Sequence, residues 1–122
     1  MELNISDSIL RDKSKDFAKK IVLLCRDTKA RSAESALINQ ILRSGASIGA
    51  NIHEAQYAQG TKDFISKFEI ALKEASETGY WLELLYRTKY IDEQTFKALS
   101  SKCTSLRVML IASCKTLKEN AK

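Results

Sequence analysis

Residues 38–55, INQILRSGASIGANIHEA, constrain the fold more than any other stretch of this chain. Apolar side chains recur there at helical spacing, with Leu37, Ile41, Ile48, Ile52 and Ala55 inside one broad stripe. The other faces carry Gly45, Ala46, Ser47, Gly49, Ala50 and Asn51, not the Lys/Glu mixture of a solvated helix. Only Arg43, His53 and Glu54 interrupt them with titratable groups. A helix that is small or apolar nearly all round is usually buried nearly all round. In a chain of 122 residues that requires a second buried surface, so the stretch predicts self-association.

The length fits one domain, residues 1–122, able to bury roughly two-thirds of its unfolded surface. Proline is absent and glycine occurs four times, which disfavours a loop-rich fold and removes the commonest helix breaker. No run approaches the roughly 18 apolar residues of a membrane span. The start, MELNISDSILRDKSKD, has no apolar signal core. The expectation is a cytoplasmic chain without a membrane partner. Cys25, Cys103 and Cys114 are odd in number and form no C-x-x-C pair, and a single His leaves no zinc constellation. Each cysteine reads as a small buried hydrophobe, and neither metal nor cofactor is expected.

Four helices account for the chain, at about residues 7–28, 33–58, 61–88 and 92–119. In the first, Ile9, Leu10, Phe17, Ile21, Leu24 and Cys25 form the buried stripe, with Ser6 as N-cap and Ile5 and Leu10 as a hydrophobic staple. Ser32 is the candidate cap of the second. Gly60 offers a left-handed stop and Thr61 the cap of the third, whose core face is Phe64, Phe68, Ala71, Leu72, Ala75, Leu82 and Leu85. Asp92 caps the fourth, with Ile91 and Phe96 at the staple positions. Phe96, Leu99, Cys103, Leu106, Leu110, Ser113 and Leu117 then hold heptad spacing. No segment alternates with period two. Short connections make successive helices antiparallel neighbours, which predicts an all-α, up-down-up-down four-helix bundle.

The formal charge of +5 is unevenly spread. Lys97, Lys102, Arg107, Lys115 and Lys118 load the fourth helix, and Lys19 and Arg26 lie among the basic residues of the first. Together they suggest a basic face from these two helices. It reads either as an ordinary solvated surface or as a site for salt-sensitive, sequence-independent contact with RNA or DNA phosphates.

Catalytic arrangements are hard to find, and no catalytic residue is assigned. A di-iron carboxylate site needs two Glu-x-x-His motifs, whereas Ala50 stands three residues before the only His. Arg43 and His53 are too far apart along one helix to converge on a phosphate. No Ser or Cys has a His in a triad context, and no Gly-rich phosphate loop exists. His53 reads as a hydrogen-bonded packing residue. Pairing the second and third helices about the turn near Gly60 sets Arg43 opposite Glu77, and Ser47 near Lys73 or Glu74. A salt link from Arg43 to Glu77 or Glu74 is therefore expected, as a structural element or, alternatively, with Arg43 contacting phosphate. Tyr80 and Trp81 cannot both enter one stripe. An exposed Trp81 suits a subunit contact, or stacking on a base.

The segments Ile41–Leu42–Arg43–Ser44–Gly45 and Ser47–Ile48–Gly49–Ala50–Asn51–Ile52–His53–Glu54–Ala55 are distinctive. So are Ile70–Ala71–Leu72–Lys73–Glu74–Ala75, Glu77–Thr78 and Tyr80–Trp81–Leu82–Glu83–Leu84–Leu85. With Asp12–Lys13–Ser14 and Phe17–Ala18, they resemble the bacterial four helix bundle protein family, also called the 23S rRNA intervening-sequence protein family. The family name records where its genes were found and not an activity. The resemblance implies a left-handed bundle assembled as a ring-like homopentamer. It also implies similarity to the accessory variability protein of diversity-generating retroelements, which binds nucleic acid and a reverse transcriptase. Arg43, Ser47, Asn51, Glu54, Glu74, Glu77 and Trp81 are the motif residues. The reading that results is a non-enzymatic homo-oligomer that binds nucleic acid. Its rival is a scaffold for another protein.

Overall fold

The structure, a computed structural model, describes residues 5–30 and 34–120. It consists of α1 (Ile5–Ala30), α2 (Ser35–Ala55), α3 (Thr61–Arg87) and α4 (Glu93–Asn120), with no strand among the described residues. Cross-helix pairs establish the directions. Arg11 with Gln56 and Cys25 with Ile38 set α1 antiparallel to α2, and Arg43 with Glu77 and Glu54 with Lys67 do the same for α2 and α3. Glu69 with Lys118 and Tyr86 with Phe96 reverse α4 against α3. Asp7, accepting from Ser113 at 3.0 Å, brings α1 back beside α4. The result is an all-α, up-down-up-down four-helix bundle. Diagonal helices do not meet, and the α1/α4 seam is the most open of the four.

The core is continuous through all four helices. Leu10, Phe17 and Ile21 meet Ile41, Ile48 and Ile52, then Phe64, Phe68, Leu82 and Leu85, then Leu106 and Leu110, all essentially sealed from water. Each such side chain contributes about 1.5–3 kcal/mol relative to exposure.

Helix ends follow local chemistry, with several departures from the sequence expectation. Asp92 caps α4 by accepting the Thr95 N–H at 2.7 Å, with Ile91 buried beside it and the half-buried Phe96 stacked on Tyr86 at 4.6 Å. Ser6 lies inside α1 and is no cap, and Ile9 turns out to solvent. Ser32 lies outside the described residues. Glu34 precedes α2 without a side-chain cap, and α2 ends at Ala55, three residues earlier than its pattern suggested. Gly60 is the N-cap of α3 and not the stop of α2. Its φ of 141° and ψ of 177° fall in a region open essentially to glycine alone, and Thr61 is already helical. The end of α3 is stranger. The Tyr90 N–H bonds Leu85 O and the Lys89 N–H bonds Tyr86 O, both at 3.0 Å, the paired pattern of a Schellman stop. Its left-handed position is occupied by Lys89, at φ 67°, where glycine is usual.

In α2, Gly45 and Gly49 are buried and face α1, not the outside. A Cβ on Gly45 would stand 2.8 Å from Ile21 Cγ2, and one on Gly49 would stand 3.4 Å from Ser14 O and Oγ. These glycines let α1 approach α2 closely within one chain. Ala46, Ser47 and Asn51 are half-buried, and of the small residues expected to form a second surface only Ala50 is open to solvent, as is Leu42 two turns before it.

Candidate nucleic-acid interface

The hairpin of α2 and α3 holds one charged cluster in fixed geometry. Glu74 and Glu77, three apart and on one face of α3, both reach Arg43 across the helix seam. Arg43 Nη1 donates to Glu74 Oε2 at 3.1 Å, and Nη2 donates to Glu77 Oε1. Trp81 Nε1 donates to the same Glu77 oxygen at 3.2 Å. These bonds, the one from Arg43 foremost, hold the Glu77 carboxyl below its ordinary value. Beneath the cluster, Thr78 Oγ1 donates to Ser44 Oγ at 2.9 Å, a buried polar contact between helices that sequence periodicity did not single out. Ser47 donates back to Arg43 O at 2.7 Å and Asn51 to Ser47 O at 2.8 Å, so both serve α2 itself and do not reach α3. Glu54 pairs with Lys67 at 3.3 Å. With its guanidinium shared between two carboxylates, Arg43 acts as a clamp between α2 and α3. Trp81 is half-buried, and its neighbour Tyr80, 60% exposed, is the aromatic that faces out.

The basic residues of α1 and α4 do not form one patch. Lys97 is paired with Glu93 at 2.8 Å and Lys118 with Glu69 at 2.9 Å, both at the surface. Such pairs contribute little to stability, but they offset the positive charge offered to a partner. Lys102 lies in a cleft of the α1/α4 seam that Asp12 and Asp16 also line. Arg107 lies on the opposite side of α4, in a polar notch against α3. Lys19, Arg26 and Lys115 are exposed and form no ion pair among the described residues.

No acid–base or nucleophile–base pair is assembled among the described side chains. His53 is exposed, its ring edge-on to Tyr57 at 5.7 Å, and its side chain makes no hydrogen bond among the described residues, so it is not the hydrogen-bonded packing residue expected. The three cysteines are buried. Burial pushes the Cys25 and Cys103 thiols up to about 11, although the charge of Arg107 opposes the rise at Cys103. Thiols held that high are poor nucleophiles at neutral pH.

No helix among the described residues is long and apolar enough to cross a membrane. The 23S rRNA-intervening sequence protein family matches residues 6–112 of the chain. No curated protein matches. The chain is similar to a protein of unknown function from the S23 ribosomal protein family of Bacteroides thetaiotaomicron VPI-5482, known from a crystal structure at 1.70 Å resolution. The two are 47% identical, over 91% of this chain and 99% of the other, with a TM-score of 0.88. On the match over residues 6–112, together with that likeness, the chain belongs to the 23S rRNA-intervening sequence protein family.

Proposed function

We propose that this chain is a non-enzymatic, self-assembling helical bundle of the cytoplasm that binds RNA or DNA through basic side chains of α1 and α4. The observation that carries this reading is which charges the fold has already used. Arg43 and Glu54, the only Arg and Glu within α2, are tied to α3. Lys19, Arg26, Arg107 and Lys115 hold no ion pair among the described residues, which leaves their charges to neutralise phosphates. Such binding draws on counterion release, so it is salt-sensitive and indifferent to sequence. Self-assembly is supported by Leu42 and Ala50, exposed beside Ala46 on a helix with little charge, and five copies is the number the family resemblance implies. A cleft of about 480 Å³ walled by Leu37, Trp81, Leu84 and Tyr90 supports the rival reading, a scaffold that docks a protein such as a reverse transcriptase.

Fluorescence anisotropy with labelled RNA and DNA, between about 50 and 200 mM salt, tests the main reading. Affinity should fall steeply with salt, and Lys115→Gln or Arg26→Gln should each flatten the log–log slope by about 0.7–0.9. No binding at low salt, or binding that ignores salt, overturns the nucleic-acid reading in favour of the scaffold. Light scattering tests assembly separately. Leu42→Glu should lower the mass without loss of helix, and a monomeric wild type at micromolar concentration overturns self-association.

A further inference from the structure

Midway along α3 and α4 a notch of about 280 Å³ opens between the two helices. Ser76, Gly79 and Tyr80 share one face of α3, and Ser100, Thr104 and Arg107 share the facing side of α4, at spacings of three or four residues. Cys103 closes the floor, its Sγ donating to Ala75 O at 3.2 Å. Phe96, stacked on Tyr86, stands at one end.

Three features of this notch go unused by the fold. Ser and Thr hydroxyls inside helices commonly bond back to the preceding turn, as Ser14, Thr28, Ser47 and Thr88 do here. Those of Ser76, Ser100 and Thr104 make no hydrogen bond among the described residues. Arg107 is exposed and forms no ion pair among the described residues, while the one carboxylate on the rim, Glu83, is already held by Arg87 at 2.9 Å. Gly79 sits inside α3, where glycine is the poorest helix former after proline. Nothing lies within 4 Å of where its Cβ would be, so packing within the chain does not require a glycine there. The missing side chain instead keeps the notch open. Beside it the Tyr80 ring stands edge-on to Trp81 at 4.9 Å, oriented by that contact and 60% exposed.

We propose that this notch seats one phosphodiester of a single-stranded nucleic acid, with Tyr80 stacking on the adjacent base. A guanidinium flanked by hydroxyl donors suits a tetrahedral anion, because several oxygens can be bonded at once. An exposed ring next to a phosphate site is how proteins hold unpaired strands, since every base offers a π-face. Duplex phosphates can still meet Lys19, Arg26 and Lys115, but their bases are already stacked and do not reach Tyr80. The proposal rests on the nucleic-acid reading above and deepens it.

The test is anisotropy on the full chain with three probes of equal length: a single-stranded oligonucleotide, the same backbone with abasic sites, and a duplex. The wild type should prefer the base-bearing single strand over the abasic one by about tenfold, the scale of one stacked base. Tyr80→Ala should abolish that preference. Gly79→Leu, which fills the notch, should weaken single-strand binding about tenfold while duplex binding persists. Lys115→Gln should lower salt sensitivity and leave the preference intact. Circular dichroism checks that each variant is folded, and Tyr80→Ala, at an exposed position, carries the test if Gly79→Leu is not. Wild-type binding with no base preference, or with a preference that Tyr80→Ala leaves unchanged, overturns the notch while leaving the nucleic-acid reading intact. A Gly79→Leu variant that changes the mass in light scattering but binds as the wild type does also overturns it, since the notch is then a contact between copies. Absence of all binding at low salt overturns both readings.

Discussion

Two glycines of this bundle should respond in opposite ways to the same substitution. Alanine in a helix interior is favoured over glycine by about 0.8–1 kcal/mol. At Gly79 nothing opposes that gain, because the added methyl meets no atom within 4 Å. Gly79→Ala should therefore stabilise the fold by about 0.5–1 kcal/mol. At Gly45 the same methyl would lie 2.8 Å from Ile21 Cγ2, 3.0 Å from Cγ1 and 3.3 Å from Cβ. Ile21 is fully buried and β-branched, with one strongly preferred rotamer in a helix, so it cannot swing aside. The helices must separate or the rotamer must strain, at a cost of about 1–3 kcal/mol. After the propensity gain, Gly45→Ala should destabilise by about 1–2 kcal/mol. Urea denaturation followed at the helical CD band reads both. Two protein concentrations are needed, since assembly adds a mass-action contribution. In heating, the two variants should move to opposite sides of the wild type, at about 4 °C per kcal/mol. A cycle with Ile21→Ala isolates the contact: Gly45→Ala should be harmless or favourable once both γ-carbons are gone. A Gly45→Ala protein at least as stable as the wild type, or independent effects at Gly45 and Ile21, would refute the close-approach reading of α1 on α2.

The αL position at the end of α3 offers a second test. Lys89→Gly should stabilise by about 0.5–1 kcal/mol, the relief of a left-handed L residue less the entropy glycine adds to the unfolded chain, as measured by urea midpoint. A destabilised variant would mean that the Lys89 side chain holds something the strain reading overlooks. The Arg43 cluster predicts a pH dependence. Glu77 titrates lower in the folded chain than its ordinary value, so its contribution is complete above about pH 4.3 and is lost as pH falls through the folded pKa. Arg43 stays charged throughout and adds no slope of its own. Urea midpoints from neutral pH downward should show an acid decline that is shallower in Glu77→Gln, and identical slopes would remove the link between the salt bridge and stability.

The sequence was most readable where one local rule decides the outcome. Asp92 before Glu93, with Ile91 and Phe96 at staple spacing, marked the start of α4, and the turn at Gly60 placed Arg43 opposite Glu77 by counting residues. It was least readable where the deciding contact belongs to another helix. Helical periodicity assigns Gly45 to a face of α2 but does not say that Ile21 of α1 fills that face. Ile9 fits the apolar stripe of α1 yet lies outside it, because the α1/α4 seam closes only loosely. Tyr80 and Trp81 were equivalent by pattern, and it is Trp81 that packs on the core, with its Nε1 bonded to Glu77. The notch had a signal of its own. Small and polar residues recur at helical spacing in Ser76, Gly79 and Tyr80 and again in Ser100, Thr104 and Arg107, on helices that the topology makes antiparallel neighbours. That pattern acquires meaning only once the register of α3 against α4 is known.

The open seam between α1 and α4 bears on the order in which the chain acquires its structure. Three of the four helix contacts join consecutive helices and can form as local hairpins, which close quickly and at small entropic cost. The fourth joins residues as distant as Asp7 and Ser113, 106 positions apart, and it packs the most loosely in return. The last closure of the ring is therefore both the costliest and the least rewarded. When the bundle breathes, it should part along α1 and α4 first, so amide exchange should run faster in α1 than in α3, which is gripped from both sides.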